Sequence, residues 1–402
     1  MKNLLILTYW SYQDALIQSY TLPYVKILHR QNPLRRIFLV TIEQPFHKMS
    51  DEEWNEERRK LKKENIELLR FKYDHFGLKM MIRFLGFIPK LVQLIRKERI
   101  HTLHAWCMTA GSLGYILSIL TGKPLVVDSY EPHAEAMVEN GTWSSSGFKF
   151  KLLFWLEKKL SQRTNTVIAL TEQMAVYAKE KYGATFKNYY VKPAMVDLKK
   201  FEVSELSYQS SRKELNLQDK VVCIYAGKLG GIYLEEEVFD FIKVAYGYWG
   251  KKLHVFLLTN KDKKEVDVFL KSRNIPVDCV DVKFVPYDEI HTYFRCSDFA
   301  INPVKPVLSK RYCTSIKDGE YWAAGLPVVI PKNISDDSSI IDENGIGYVL
   351  KNLNEEEYEN ACIKIEHLLQ GDRLLLRDKI KKVADKYRNF NIAEEIYKEV
   401  YS

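Results

Sequence analysis

Short apolar runs alternate along the chain with longer stretches whose apolar positions recur at helical spacing. In the first half the runs are LLILTYW, RRIFLVTIE, IHTLHAW, PLVVDSY and TVIALTE. In the second they are VVCIYAG, LHVFLLTN, VKFVP, DFAINPV, LPVVIP and GYVL. An almost unbroken apolar run reads as a strand buried on both faces, and a period near 3.6 reads as a helix with one apolar stripe. Strands alternating with helices predict a parallel sheet covered on both faces. The alternation occurs twice, which predicts an α/β chain of two doubly wound, Rossmann-like domains facing across a cleft. The pattern breaks at NYYVKPAMVDLKKFEVSELSYQSS, residues 188–211, where a proline and a polar stretch intervene. The expected domains are therefore 1–195 and 196–390, and NIAEEIYKEVYS supplies a separate helix over 391–402. Ligands of such sheets bind outside the carboxyl ends of the strands, so the cleft is the expected site.

Composition narrows this little. The 402 residues, 46% apolar and 28% charged, suit a water-soluble chain with two cores. The six cysteines are scattered without a C-x-x-C, which argues against a disulfide framework or a zinc site and fits a reducing, cytoplasmic setting. The start MKNLLILTYW reads as a first buried strand rather than a signal peptide. No run of eighteen apolar residues is present to span a membrane.

Charge changes the picture more. Residues 1–200 carry 31 Lys and Arg against 19 Asp and Glu, a surplus of twelve; the rest carry 29 against 33. The first domain is thus expected to meet something anionic. No nucleic-acid module is recognisable, so nucleic acid is not expected as a partner. In 74–100, DHFGLKMMIRFLGFIPKLVQLIRKERI, residues such as Phe76, Leu78, Met81, Ile82, Phe84 and Leu85 mix with Lys79, Arg83 and Lys90. That pattern predicts a helix lying on a membrane surface, at the inner face. Its later part, KLVQLIRKERI, reads as an ordinary packed helix.

Two segments of the second half carry chemistry. In SIKDGEYWAAGLPVVI a short helix follows a strand, ends at Gly325 and is blocked by Pro327. Ser315, Lys317 and Glu320 fall at its start. Free N–H groups there attract phosphate, Lys317 adds a charge, and Glu320 can accept the two vicinal hydroxyls of a ribose. In VVCIYAGKLGGIYLEEE a buried strand gives way to Gly227, Lys228, Leu229, Gly230 and Gly231. Glycines let the backbone approach an oxyanion, and Lys228 supplies charge for a diphosphate. The pair of segments describes a nucleotide site.

These residues resemble the GT-B glycosyltransferases of family 4, of the group that builds bacterial surface polysaccharides. Glu320, Gly325, Pro327 and Val328 match that family's E-x-x-x-x-G-x-P-V, and Gly227-Lys228-Leu229 match its G-[RK]-L loop. Val285, Pro286 and Tyr287 stand where the family packs near the base. The resemblance implies transfer of a sugar from a nucleoside-diphosphate sugar to a hydroxyl of a glycan or lipid-linked acceptor, with retention at the anomeric carbon. It also implies that the last helix crosses back onto the amino-terminal domain. The family's fuller pattern has a second Glu where this chain has Tyr312, and a second basic residue where it has Tyr233.

The amino-terminal domain is expected to hold the acceptor. Asp128, Glu131, His133 and Glu135 crowd a loop after the strand PLVVD. By the resemblance, His133 is the first catalytic candidate, with Asp128 and Glu135 behind it. His104, Tyr9, Trp10 and Tyr12 are acceptor-side candidates. No D-x-D pair exists, so neither a metal nor another cofactor is expected, and the diphosphate would be neutralised by Lys228, Lys317 and helix N–H groups. Two other readings stay open: a sugar-nucleotide epimerase of the same fold, and a non-catalytic binder of glycan or of a partner protein.

Overall fold

The computed structural model describes residues 2–14, 16–45, 49–74 and 78–402; Phe76 and the side chains of Met81 and Phe84 lie outside the described residues. The chain divides into two compact units, Met1–Pro193 with Asn391–Ser402, and Ala194–Phe390.

In the first unit, seven parallel strands form one sheet. They are β1 (Asn3–Leu7), β2 (Ile37–Glu43), β3 (Ile66–Lys72), β4 (Ile100–Trp106), β5 (Leu125–Tyr130), β6 (Thr166–Ala169) and β7 (Asn188–Val191). Their order is β3-β2-β1-β4-β5-β6-β7. The winding reverses between β1 and β4, which places a ligand crevice at their carboxyl ends. Five strands coincide with the apolar runs. The other two are edge strands. In β3 only Ile66 and Leu68 are buried, and β7 is four partly exposed residues inside the polar break. An edge strand has one partner and less to bury, so its apolar signal is weak.

The second unit has β8 (Val221–Ala226), β9 (Leu253–Leu258), β10 (Val280–Lys283), β11 (Phe299–Ile301), β12 (Val328–Pro331) and β13 (Gly347–Leu350). They are parallel in the order β10-β9-β8-β11-β12-β13, all six read from the apolar pattern. Alternate residues feed opposite cores: Val222 and Ile224 pack with Ala300 and Val328 on one face, Cys223 and Tyr225 with Phe299 and Val329 on the other. Winding reverses between β8 and β11. The glycine-rich loop follows β8, and the Lys317–Glu320 helix lies beyond β11, so this reversal gathers both candidate segments.

Two non-glycine residues at adjacent strand ends of the first unit are left-handed, Cys107 (φ 66°) after β4 and Ser129 (φ 52°) near the end of β5. The pairing of β5 with β6 slips there, between Asp128 and Tyr130. Such conformations cost on the order of 1 kcal/mol or more and persist where surrounding contacts enforce them. The last helix, Phe390–Tyr401, buries Ala393, Tyr397 and Tyr401, and from Asn391 on it belongs to the first unit.

Candidate active site

The second unit presents the more complete site. β8 ends at Ala226, and the Gly227 N–H donates to Leu258 O (2.8 Å) before the chain leaves the sheet. Gly230 and Gly231 adopt φ of 76° and 64°, which side chains disfavour. The loop then returns: Leu234 N–H donates to Pro303 O (2.7 Å) and Lys305 N–H to Ile232 O (3.1 Å). The segments after β8 and β11 are therefore stitched together at the winding reversal. A Cβ on Gly227 would lie 2.5 Å from Lys317 Cε and 2.8 Å from Tyr225 Oη. Position 227 is bare because the lysine passes over it.

The helix Ile316–Ala323 starts after Ser315, which is extended and makes no side-chain cap. Its first-turn N–H groups are thus left for a ligand. Lys317 Nζ donates to Tyr233 Oη (2.8 Å) and lies 4.1 Å from the centre of that ring. One turn on, Glu320 is 4% exposed and its Oε1 accepts from Tyr287 Oη (2.9 Å). Tyr287 stands in the loop after β10, with Lys200 Nζ 4.0 Å above its ring; Lys200 also pairs with Asp288 (2.7 Å). Burial pushes the Glu320 carboxyl up to about 7, while the Tyr287 bond and the charges of Lys317 and Lys200 pull it down. The group is poised near neutrality, where a carboxylate that binds hydroxyls and a neutral acid interconvert.

The other face of this helix is locked. Asp318 is fully buried and accepts from Asn302 Nδ2 (2.8 Å). Burial and the charge of Asp337 hold its carboxyl well above the ordinary range against the pull of Arg388. Buried Arg388 pairs with Asp337, donates to Ala194 O (3.2 Å) and lies 5.3 Å from the Trp322 ring. Its own carbonyl accepts from Val196 N–H (3.0 Å). A Cβ on Gly319 would sit 3.0 Å from Val196 Cγ1 and 3.2 Å from Arg388 Cγ, so a side chain there would push those neighbours back by a few tenths of an ångström. Lys228 and Pro286 are exposed, and Tyr312 is half-buried at the end of the short turn Leu308–Tyr312.

In the first unit several candidates turn inward. Asp128 is fully buried: Oδ2 accepts from Tyr397 Oη (2.7 Å), Lys192 Nζ lies 3.2 Å from Oδ1, and His104 Nε2 lies 3.4 Å from Oδ2. His104 is equally buried and bonds Tyr401 Oη. Burial pushes Asp128 up, but Lys192 and then His104 outweigh it and hold the carboxyl below its ordinary value. These two residues are thus a sealed internal cluster rather than groups facing an acceptor. Tyr12 also belongs to the packing. It is 3% exposed, donates to Glu57 (3.0 Å) and meets Trp54 edge-on. Half-buried Tyr9 donates to Asp74 O (3.3 Å), and half-buried Trp10 accepts from Ile42 N–H (3.0 Å) through its carbonyl.

His133 remains accessible. It begins the helix His133–Glu139, with Nδ1 3.4 Å from Glu131 Oε1. Glu135, two residues on, accepts from Tyr177 Oη. Behind them the buried Glu157 accepts from Ala134 N–H (2.9 Å) and Tyr182 Oη (2.8 Å). Burial pushes Glu157 up to about 8, and the charge of His133 pulls it down. Sequence reasoning did not single out Glu157, Lys192, Lys200 or Arg388. Each gains its role from a partner far along the chain, and no local spacing marks it.

Residues 52–200 match the model of Glycosyltransferase Family 4, and residues 307–393 match the carboxy-terminal domain of Glucosyltransferase 3-like proteins. The chain thus carries a region similar to family 4 glycosyltransferases and a later region similar to the carboxy-terminal domain of Glucosyltransferase 3-like proteins. Solved structures share the two-unit fold at low identity. HepE of Anabaena, in complex with UDP, is 14% identical with a TM-score of 0.74, covering 100% of this chain and 99% of its own. Sucrose-phosphate synthase of Thermosynechococcus elongatus is 13% identical at 0.71, covering 100% and 98%. WaaG, a glycosyltransferase involved in lipopolysaccharide biosynthesis, is 10% identical at 0.69, covering 99% of each chain. No curated protein matches the chain in sequence.

Proposed function

We propose that the enzyme transfers a sugar from a nucleoside-diphosphate sugar to a hydroxyl of a glycan or lipid-linked acceptor, with retention and without a metal. The observation that carries this reading is the helix Ile316–Ala323. An uncapped start, an ammonium and a buried carboxylate occur on it within about one turn. Glu320 takes the ribose hydroxyls. Lys317, Lys228 and the helix N–H groups take the diphosphate. Negative charge develops on that leaving group as the bond from the anomeric carbon to phosphate oxygen breaks, so groups preplaced there lower the barrier most. The acceptor oxygen bonds the anomeric carbon and its proton passes to the departing phosphate oxygen. His133, half-exposed at the start of its helix, is assigned to the reacting sugar. HepE solved with UDP and glucose supports the donor class.

The test is thermal unfolding with UDP, GDP, CDP and ADP in turn. A ligand that binds only the folded state at 100 times its Kd stabilises by about 2.7 kcal/mol, so one nucleotide is expected to raise Tm by several degrees. No shift with any of the four overturns the donor assignment.

The acceptor side is proposed to work at an anionic membrane surface, the cytoplasmic face. Among the described residues no helix is long and apolar enough to cross a membrane. The helix Leu78–Lys97 nonetheless exposes Leu78 (67%), Ile82 (61%) and Leu85 (68%), one stripe beside Lys79 and Lys90. Met80, Phe87, Leu91 and Ile95 are buried. Apolar anchoring with lysines reaching phosphate headgroups is the signature of interfacial helices. The protein is expected to sediment with phosphatidylglycerol vesicles in low salt, and Ile82→Glu with Leu85→Glu to release it. Equal recovery of wild type and variant in the pellet would refute the surface.

A further inference from the structure

We propose that Tyr233 and Lys317 act as a single unit on the donor diphosphate, with the phenol as a direct contact and the lysine as the charge behind it. This rests on the donor reading above. The glycine-rich loop has no basic side chain from Leu229 to Glu235, so after Lys228 it brings no positive charge of its own. The charge arrives from the helix instead. Lys317 crosses the bare Cα of Gly227, lies over the Tyr233 ring at 4.1 Å and donates to its hydroxyl at 2.8 Å. An ammonium has only protons to give, so the phenol oxygen is the acceptor in that bond. Its own O–H then points elsewhere, and no group among the described residues accepts it. A hydroxyl whose lone pair is engaged by a cation is a stronger donor than a free one, and its natural acceptor is an anionic oxygen.

The tyrosine is built to stay in place. Its backbone bridges to Val304, and its ring meets Tyr225 edge-on at 6.4 Å. Both Tyr233 and Lys317 are half-buried, and they lie beside the uncapped start of the helix. A pair meant only for packing would be expected to be covered. Holding the lysine here also removes its freedom before the ligand arrives, so less entropy is lost on binding.

The experiment is titration calorimetry with the nucleoside diphosphate that stabilises the wild type, and with the matching nucleoside. Tyr233→Phe keeps the ring and is expected to weaken the diphosphate about tenfold while leaving the nucleoside unchanged. Lys317→Met is expected to weaken the diphosphate further. In that background Tyr233→Phe should add little, because the two side chains work together. Melting temperatures check that each variant is folded. If the wild type binds its nucleotide and Tyr233→Phe binds it equally well, or loses the nucleoside to the same extent, the proposal fails while the donor site stands. If no nucleoside diphosphate binds the wild type, both fall together.

Discussion

Glu320→Gln is expected to lower kcat/KM on the order of 100-fold or more while leaving the melting temperature close to wild type. The side chain keeps its shape, and its remaining carbonyl oxygen can still accept from Tyr287. What it loses is the second acceptor and the charge. A hydrogen bond to a charged group is worth about 1.5–3 kcal/mol, and the proposed role gives this carboxylate two ribose hydroxyls, so tenfold per 1.4 kcal/mol gives the magnitude. The same carboxylate sets a pH dependence. Burial first, opposed by Tyr287, Lys317 and Lys200, leaves it at about 7 in the free protein, above its ordinary 4.5. The protonated acid presents a donor where the ribose needs an acceptor. Nucleotide affinity is therefore expected to be flat above about pH 7 and to fall tenfold per unit below it. Folding alone runs the other way: the folded chain holds this proton more tightly than the unfolded one, so the group costs stability as pH rises from about 4.5 to 7. Tyr287→Phe removes a bond that favours the charged form and should move the midpoint upward. Calorimetric titrations across this range decide the matter, and an affinity independent of pH would sink the assignment.

Lys192→Met is expected to give the largest loss of stability. Its ammonium is fully buried, 3.2 Å from Asp128 Oδ1 and 3.6 Å from the centre of the Tyr24 ring, with Trp106 close by. Removing it strands a buried carboxylate, which typically costs about 3–5 kcal/mol. For a unit of this size that is roughly 10 °C in Tm. Adding Asp128→Asn to the same chain should recover part of the loss, because no charge is then stranded. Since Tyr397 reaches the same carboxylate from the last helix, the variant should also lose protection from proteolysis near Asn391. An unchanged melting temperature would show that the ammonium contributes nothing to the cluster.

The grouping of the candidate residues in the second unit was legible because they are close in sequence. Lys317 and Glu320 sit on one helix whose stop, Gly325 and Pro327, is written beside them. Strands buried on both faces were equally plain. The edge strands β3 and β7 were not, since neither needs a full apolar run. The acceptor half was read less well for a different reason. A strand end crowded with ionisable groups looks the same whether they face water or the interior. Asp128 turns inward because Lys192 and Tyr397 wait for it there, and those partners come from the polar break and the far end of the chain. Likewise Tyr233 read only as a departure from the family pattern. Its role depends on a lysine 84 positions away that passes over a glycine.

The two bonds that join Arg388 to Ala194 and Val196 bring the termini of the second unit side by side. A module closed at its own base is, topologically, an insert. Residues 194–390 can be cut out and replaced at that seam by the corresponding piece of another enzyme, with the flanking ends left as near to each other as before. Lineages carrying such a seam are free to exchange the second unit while keeping the first.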